Sequence, residues 1–112
     1  MHRLFVYGTL KPGASAWRLL EPYVAGAPVP ATLPGVLYDT GRGYPALLLD
    51  DGPGVTGYLV ELREPARDAL SAMDDYEGAE YQRVLLTLPD GTSCWTYVWI
   101  EAVDGMPRVE VW

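Results

Sequence analysis

At 112 residues the chain is long enough for one buried core and too short for two, so a single domain over residues 1–112 is expected. A hydrophobic content of 49% excludes disorder, and no run approaches the ~18 apolar residues of a membrane span. The net charge of −7, without any basic run, argues against nucleic-acid binding; the acidity reads as solubility and implies no partner.

Twelve glycines and ten prolines make up about a fifth of the chain, against an ordinary ~12%. This excess predicts many short strands joined by tight turns. The one cysteine, Cys94, cannot form an internal disulfide and fits a reducing compartment. The first apolar run stops at Gly8, too early for a signal peptide, so a cytoplasmic location is expected.

Leu4-Phe5-Val6-Tyr7 reads as a buried strand that ends abruptly at Gly8, with Pro12-Gly13 marking a turn. A strand ending in glycine leaves the following N–H groups open to close approach, where they can hold a carboxylate or a developing oxyanion. Ser15 is a possible cap for a short helix over Ala16–Leu20, which Pro22 would end. The prolines around Ala27–Leu33 predict a strand at a sheet edge or with a bulge. Short strands follow at Val36–Tyr38, Ala46–Leu49 and Val55–Leu62, separated by turn chemistry over residues 41–45 and 50–54.

The main helix is predicted over Pro65–Glu77, with Asp68 near its positive end and Gly78 as its C-terminal cap. Strands at Tyr81–Leu88 and Thr92–Glu101 form a hairpin around Pro89-Asp90-Gly91. In the second of these, Trp95, Tyr97 and Trp99 share one face, better suited to a core or an interface than to stacking on a ligand. Val109 and Val111 suggest a last short strand. Mostly strands with one substantial helix predict an α+β domain, in the form of a small mixed β-barrel with flanking short helices.

Ala66, Leu70, Met73 and Glu77 are spaced i, i+4, i+7, i+11 and share one helix face. Three apolar members turn that face to the core and bring Glu77 inward at the last turn. Desolvation and the negative helix end would both raise its pKa towards the range of a general base; fraying of the helix end would instead leave it on the surface. Tyr81 and Arg83 share a strand face just beyond, where the spacing favours a packed tyrosine and a surface arginine over an anion site. His2 is the only histidine, so neither a serine or cysteine triad nor a zinc site is expected, and no phosphate-loop motif is present.

Three segments stand together: Val6-Tyr7-Gly8-Thr9-Leu10, then Asp74-Asp75-Tyr76-Glu77-Gly78, then Tyr81-Gln82-Arg83. In this order, across the whole chain, they closely resemble the gamma-glutamylcyclotransferase-like (AIG2-like) family, which includes gamma-glutamylaminecyclotransferase. The resemblance implies a compact mixed barrel with a cavity at one end. It implies Glu77 as catalytic acid/base, with Tyr7, Gly8, Thr9, Leu10 and Tyr81 binding the substrate. The implied reaction cyclises the gamma-glutamyl group of a small gamma-glutamyl amine or amino acid to 5-oxoproline, releasing the amine, with no cofactor and no metal. It sets no oligomeric state. The alternative from another class is a non-catalytic small-molecule binding module on the same fold, which would bind without turnover. An interaction protein using the Trp95/Tyr97/Trp99 face is a third.

Overall fold

The computed structural model describes residues 2–52 and 54–112. Its centre is the first strand, β1 (Arg3–Val6). It pairs antiparallel with β5 (Val55–Leu62) on one side and parallel with β7 (Ser93–Trp99) on the other. β2 (Val24–Leu33) and β6 (Tyr81–Thr87) complete a five-stranded sheet in the order β2-β5-β1-β7-β6. A second sheet of three strands runs β4-β3-β8, from Pro45–Leu49, Gly35–Asp39 and Arg108–Val109.

Alternation along the strands gives the large sheet two apolar faces. Leu4, Val6, Val60, Leu62 and Tyr97 pack against the helical side, with Leu20, Ala69, Leu70 and Met73. Phe5, Tyr7, Val55 and Cys94 pack with Leu37 and Leu47 of the small sheet. The α+β class therefore stands, but the expected barrel is two sheets joined through a shared core, with no hydrogen-bonded closure among the described residues.

β2 lies at a sheet edge and its register with β5 shifts between Ala25 and Val29, so both consequences of its prolines are present. The short helix α1 covers Trp17–Leu20 rather than starting at Ala16. Ala16 occupies its N-cap and no side chain caps it, so Ser15 does not play the expected part; Pro22 falls in a 3₁₀ turn over Glu21–Tyr23. The Pro53 part of the turn expected over residues 50–54 lies outside the described residues.

The main helix, α2 (Ala66–Glu77), buries Ala66, Ala69, Leu70 and Met73, the face expected from spacing. It ends at Gly78, whose φ of 78° suits glycine and whose N–H donates to the Asp74 carbonyl at 3.1 Å. The β6–β7 hairpin turns through Asp90, whose carboxylate accepts from the Thr92 N–H at 2.9 Å. β8 stops at Val109, leaving Val111 exposed. Among the described residues no helix is long and apolar enough to cross a membrane.

Candidate active site

The end of β1 falls in the middle of the large sheet, so whatever follows it is bounded by other elements on several sides. Tyr7 is extended, and Gly8–Leu10 form a single 3₁₀ turn. The first N–H groups of such a turn, those of Gly8 and Thr9, have no acceptor inside it. A cavity of about 200 Å³ opens beside this loop. Tyr7, Thr9 and Leu10 wall it from the loop, Tyr76 and Glu77 from the last turn of α2, and Tyr81 from the start of β6. Tyr44 and Pro45, at the start of β4, and Tyr97 of β7 complete the polar and aromatic wall, over a floor of Phe5 and Val6.

Of the residues expected from the sequence, Tyr7, Thr9, Leu10, Glu77 and Tyr81 therefore meet in one cavity, although they come from three separate segments. Gly8 does not reach the cavity wall. It is buried behind it with φ of 60°, and a Cβ there would sit 2.7 Å from both Cγ and Cδ of Pro45. This position requires glycine for its conformation and for the close approach of Pro45.

The phenols are tied to the main chain. The Tyr7 hydroxyl donates to the Tyr97 carbonyl at 2.5 Å, and the Tyr81 hydroxyl donates to the Pro45 carbonyl at 2.5 Å. The Thr9 and Tyr76 hydroxyls lie 3.1 Å apart, linking the loop to the helix across the cavity's edge. Burial, reinforced by the charge of Glu77, raises the pKa of Tyr7 and of Tyr81 well above the ordinary phenol value. Burial, with the bond to Asp74, does the same for Tyr97. All three remain neutral at physiological pH.

Glu77 differs from them. It is partly buried at the final turn of α2, and desolvation raises its pKa from 4.5 to about 7. Among the described residues no hydrogen bond reaches its carboxylate, so burial alone accounts for the shift. Glu77 is thus the cavity group that changes charge near neutrality.

Arg83 is not on the cavity wall. Its Nε and Nη2 donate to the two oxygens of Asp74 at 2.9 and 3.3 Å, and its guanidinium lies 4.4 Å from the Trp95 ring centre. Asp74 also accepts from the Tyr97 hydroxyl at 2.7 Å. The aromatic face of β7 is mostly core: Tyr97 and Trp99 are buried and Trp95 is covered by Arg83, which removes the basis for an interaction surface there.

Sequence reasoning missed Tyr44, Pro45, Tyr76 and Tyr97 as cavity residues. In sequence Tyr44-Pro45 is turn chemistry and Tyr97 belongs to a face suited to core or interface, so neither carries a signal for a cavity. Tyr76 had a usable signal, as the residue next to the inward-facing Glu77.

A strand-end loop thus faces a desolvated glutamate across a small tyrosine-rich cavity, and among the described residues Glu77 is the one charged side chain on its wall. The chain belongs to the gamma-glutamyl cyclotransferase, AIG2-like family, whose model matches residues 4–111. A Halalkalibacterium halodurans protein carrying the provisional name gamma-glutamylcyclotransferase is 45% identical over 69 residues, covering 57% of this chain and 62% of that protein. The gamma-L-glutamyl-butirosin B gamma-glutamyl cyclotransferase of Niallia circulans is 32% identical over 110 residues, covering 88% of this chain and 67% of the relative. The chain thus spans about two thirds of the length of these curated relatives. The crystal structure of an AIG2-like protein from Mus musculus shares the fold, with a TM-score of 0.75 at 24% identity, over 100% of this chain and 88% of that one.

Proposed function

We propose that this protein is a gamma-glutamyl cyclotransferase that converts the gamma-glutamyl group of a small gamma-glutamyl amine or amino acid to 5-oxoproline and releases the amine. The observation that carries this reading is Glu77, a carboxylate with a pKa of about 7 in the same cavity as the Tyr7–Leu10 loop. A site that only bound an anionic ligand would gain nothing from a buried negative charge, whereas a proton-transfer step needs a group that titrates near the working pH.

The chemistry follows from the residues in hand. The Glu77 carboxylate takes a proton from the substrate's alpha-ammonium. The freed amine attacks the gamma-carbonyl carbon of the same molecule, forming the ring C–N bond and an oxyanion. The loop supplies the donor for that oxyanion through the N–H of Thr9, which has no acceptor inside the 3₁₀ turn. Collapse of the intermediate breaks the bond to the departing nitrogen, to which Glu77 returns the proton; the ring nitrogen then gives up its second hydrogen as a proton, and the amine leaves as an ammonium ion. Tyr7, Leu10 and Tyr81 shape the cavity around the folded glutamyl chain. Holding that chain ready for a five-membered ring closure supplies much of the acceleration.

Incubation with a panel of gamma-glutamyl amines and amino acids, assayed for 5-oxoproline, tests this directly. Turnover of at least one compound and its loss in Glu77→Gln are expected. Full activity in Glu77→Gln would refute the assignment of the base.

A further inference from the structure

The cavity, at about 200 Å³, is smaller than the ~300–1,000 Å³ of pockets that enclose a whole drug-sized ligand. A glutamyl group fills it, so the departing amine must lie at the mouth. Tyr44 is part of the cavity wall, and its hydroxyl joins a compact group with Arg42 and Glu80, neither of which lines the cavity. Arg42 donates through Nη1 to both oxygens of Glu80, at 2.8 and 3.1 Å, and to the Tyr44 hydroxyl at 3.4 Å; Tyr44 donates to Glu80 at 3.3 Å.

All these bonds use one nitrogen of the guanidinium. Among the described residues Nε and Nη2 of Arg42 make no hydrogen bond, and the side chain is 59% exposed. That free edge is the fork that takes a carboxylate through two parallel N–H···O bonds. Glu80 and Tyr44 fix the position of the guanidinium without occupying the fork. Arg83, by contrast, has its own fork committed to Asp74.

We infer that Arg42, positioned by Glu80 and Tyr44, is a specificity-determining residue that selects gamma-glutamyl substrates whose departing amine carries a carboxylate. The inference rests on the cyclotransferase reading of the same cavity. It favours gamma-glutamyl amino acids over gamma-glutamyl alkylamines of equal size.

The test compares gamma-glutamyl-alanine with gamma-glutamyl-ethylamide, which differ by that carboxylate alone. The wild-type protein is expected to show a kcat/KM about tenfold higher for the alanine compound, mostly through KM, as suits a charge-assisted pair at an exposed site. In Arg42→Gln the ratio should fall close to one. Arg42→Lys should recover only part of it, since an ammonium has no fork. No preference in the wild type, or a preference that survives Arg42→Gln, would overturn the inference. So would an equal loss on both compounds, which would place Arg42 on the glutamyl carboxylate instead. If neither compound yields 5-oxoproline, the cyclotransferase reading fails for this pair. Calorimetric binding of the same two compounds to wild type and Arg42→Gln then decides the inference by the same ratio.

Discussion

Asp74 and Glu77 lie less than one turn apart on α2 and meet opposite surroundings. Asp74 accepts from Arg83 and from the Tyr97 hydroxyl, while Glu77 turns into the cavity with no hydrogen-bond partner among the described residues and a pKa of about 7. Two carboxylates on one helix thus divide into a structural tie and a group that titrates near neutrality, through environment alone.

The first expectation concerns rate and pH. In the proposed reaction Glu77 acts as a base only when ionised, so the turnover of a gamma-glutamyl substrate should rise with pH and level off above about 7. Well below that value the rate should fall about tenfold per pH unit. A pH–rate profile for 5-oxoproline release checks this; a flat profile from pH 5 to 8 would remove Glu77 from the chemistry.

Stability should move the other way. Below pH 4.5 Glu77 is neutral in both folded and unfolded chains. Between 4.5 and about 7 the unfolded chain loses this proton while the folded one keeps it, so stability falls as pH rises through that window. Glu77→Gln should abolish activity yet stabilise the protein at pH 8, by at most roughly 3 kcal/mol, with the gain vanishing near pH 4. Urea unfolding of both proteins at the two pH values measures it.

Gly8 should tolerate no side chain. Alanine there carries the cost of a positive φ, roughly 1–3 kcal/mol, together with the collision against Pro45. Gly13 has φ of 83° and open space around it, so Gly13→Ala should show the conformational cost alone. The comparison by thermal melting and 5-oxoproline assay separates the two. Only Gly8→Ala is expected to lose most of its activity.

Removing the Tyr7 hydroxyl should act on the fold before the chemistry. Tyr7→Phe loses the bond to the Tyr97 carbonyl, which links the loop to β7. A destabilisation of about 1 kcal/mol is expected in urea unfolding. Tyr7 does not transfer the proton in this scheme, so the pH midpoint of the rate profile should stay where Glu77 sets it.

Local pattern carried a large share of the structure. The spacing of Ala66, Leu70 and Met73 located the buried face of α2, and the same period brought Glu77 inward. The prolines of β2 marked it as an edge strand with a bulge, and the Pro89-Asp90-Gly91 turn marked the β6–β7 hairpin. These features were legible because each depends on backbone conformation and side-chain period within one segment. The failures lay where segments meet. Ser15 looked like a cap, but the turn that follows Gly8 shifts the start of α1 by one residue. For Arg83 the spacing rightly favoured a surface arginine over an anion site, but the carboxylate that claims it belongs to α2, a partner the spacing does not name.

The sequence by itself therefore determined the α+β class, the inward register of Glu77 and the loop that ends β1. Only the tertiary structure decided that Pro45 lies against Gly8, that Tyr44 and Tyr81 close the same cavity, and that two sheets share a core instead of forming one barrel. The physical reason is that a segment's periodicity says which face is apolar, not which partner covers it. That choice is made by packing between residues far apart in the chain, and the cavity beside Glu77 is walled by residues of β1 and its following loop, the start of β4, the end of α2, β6 and β7.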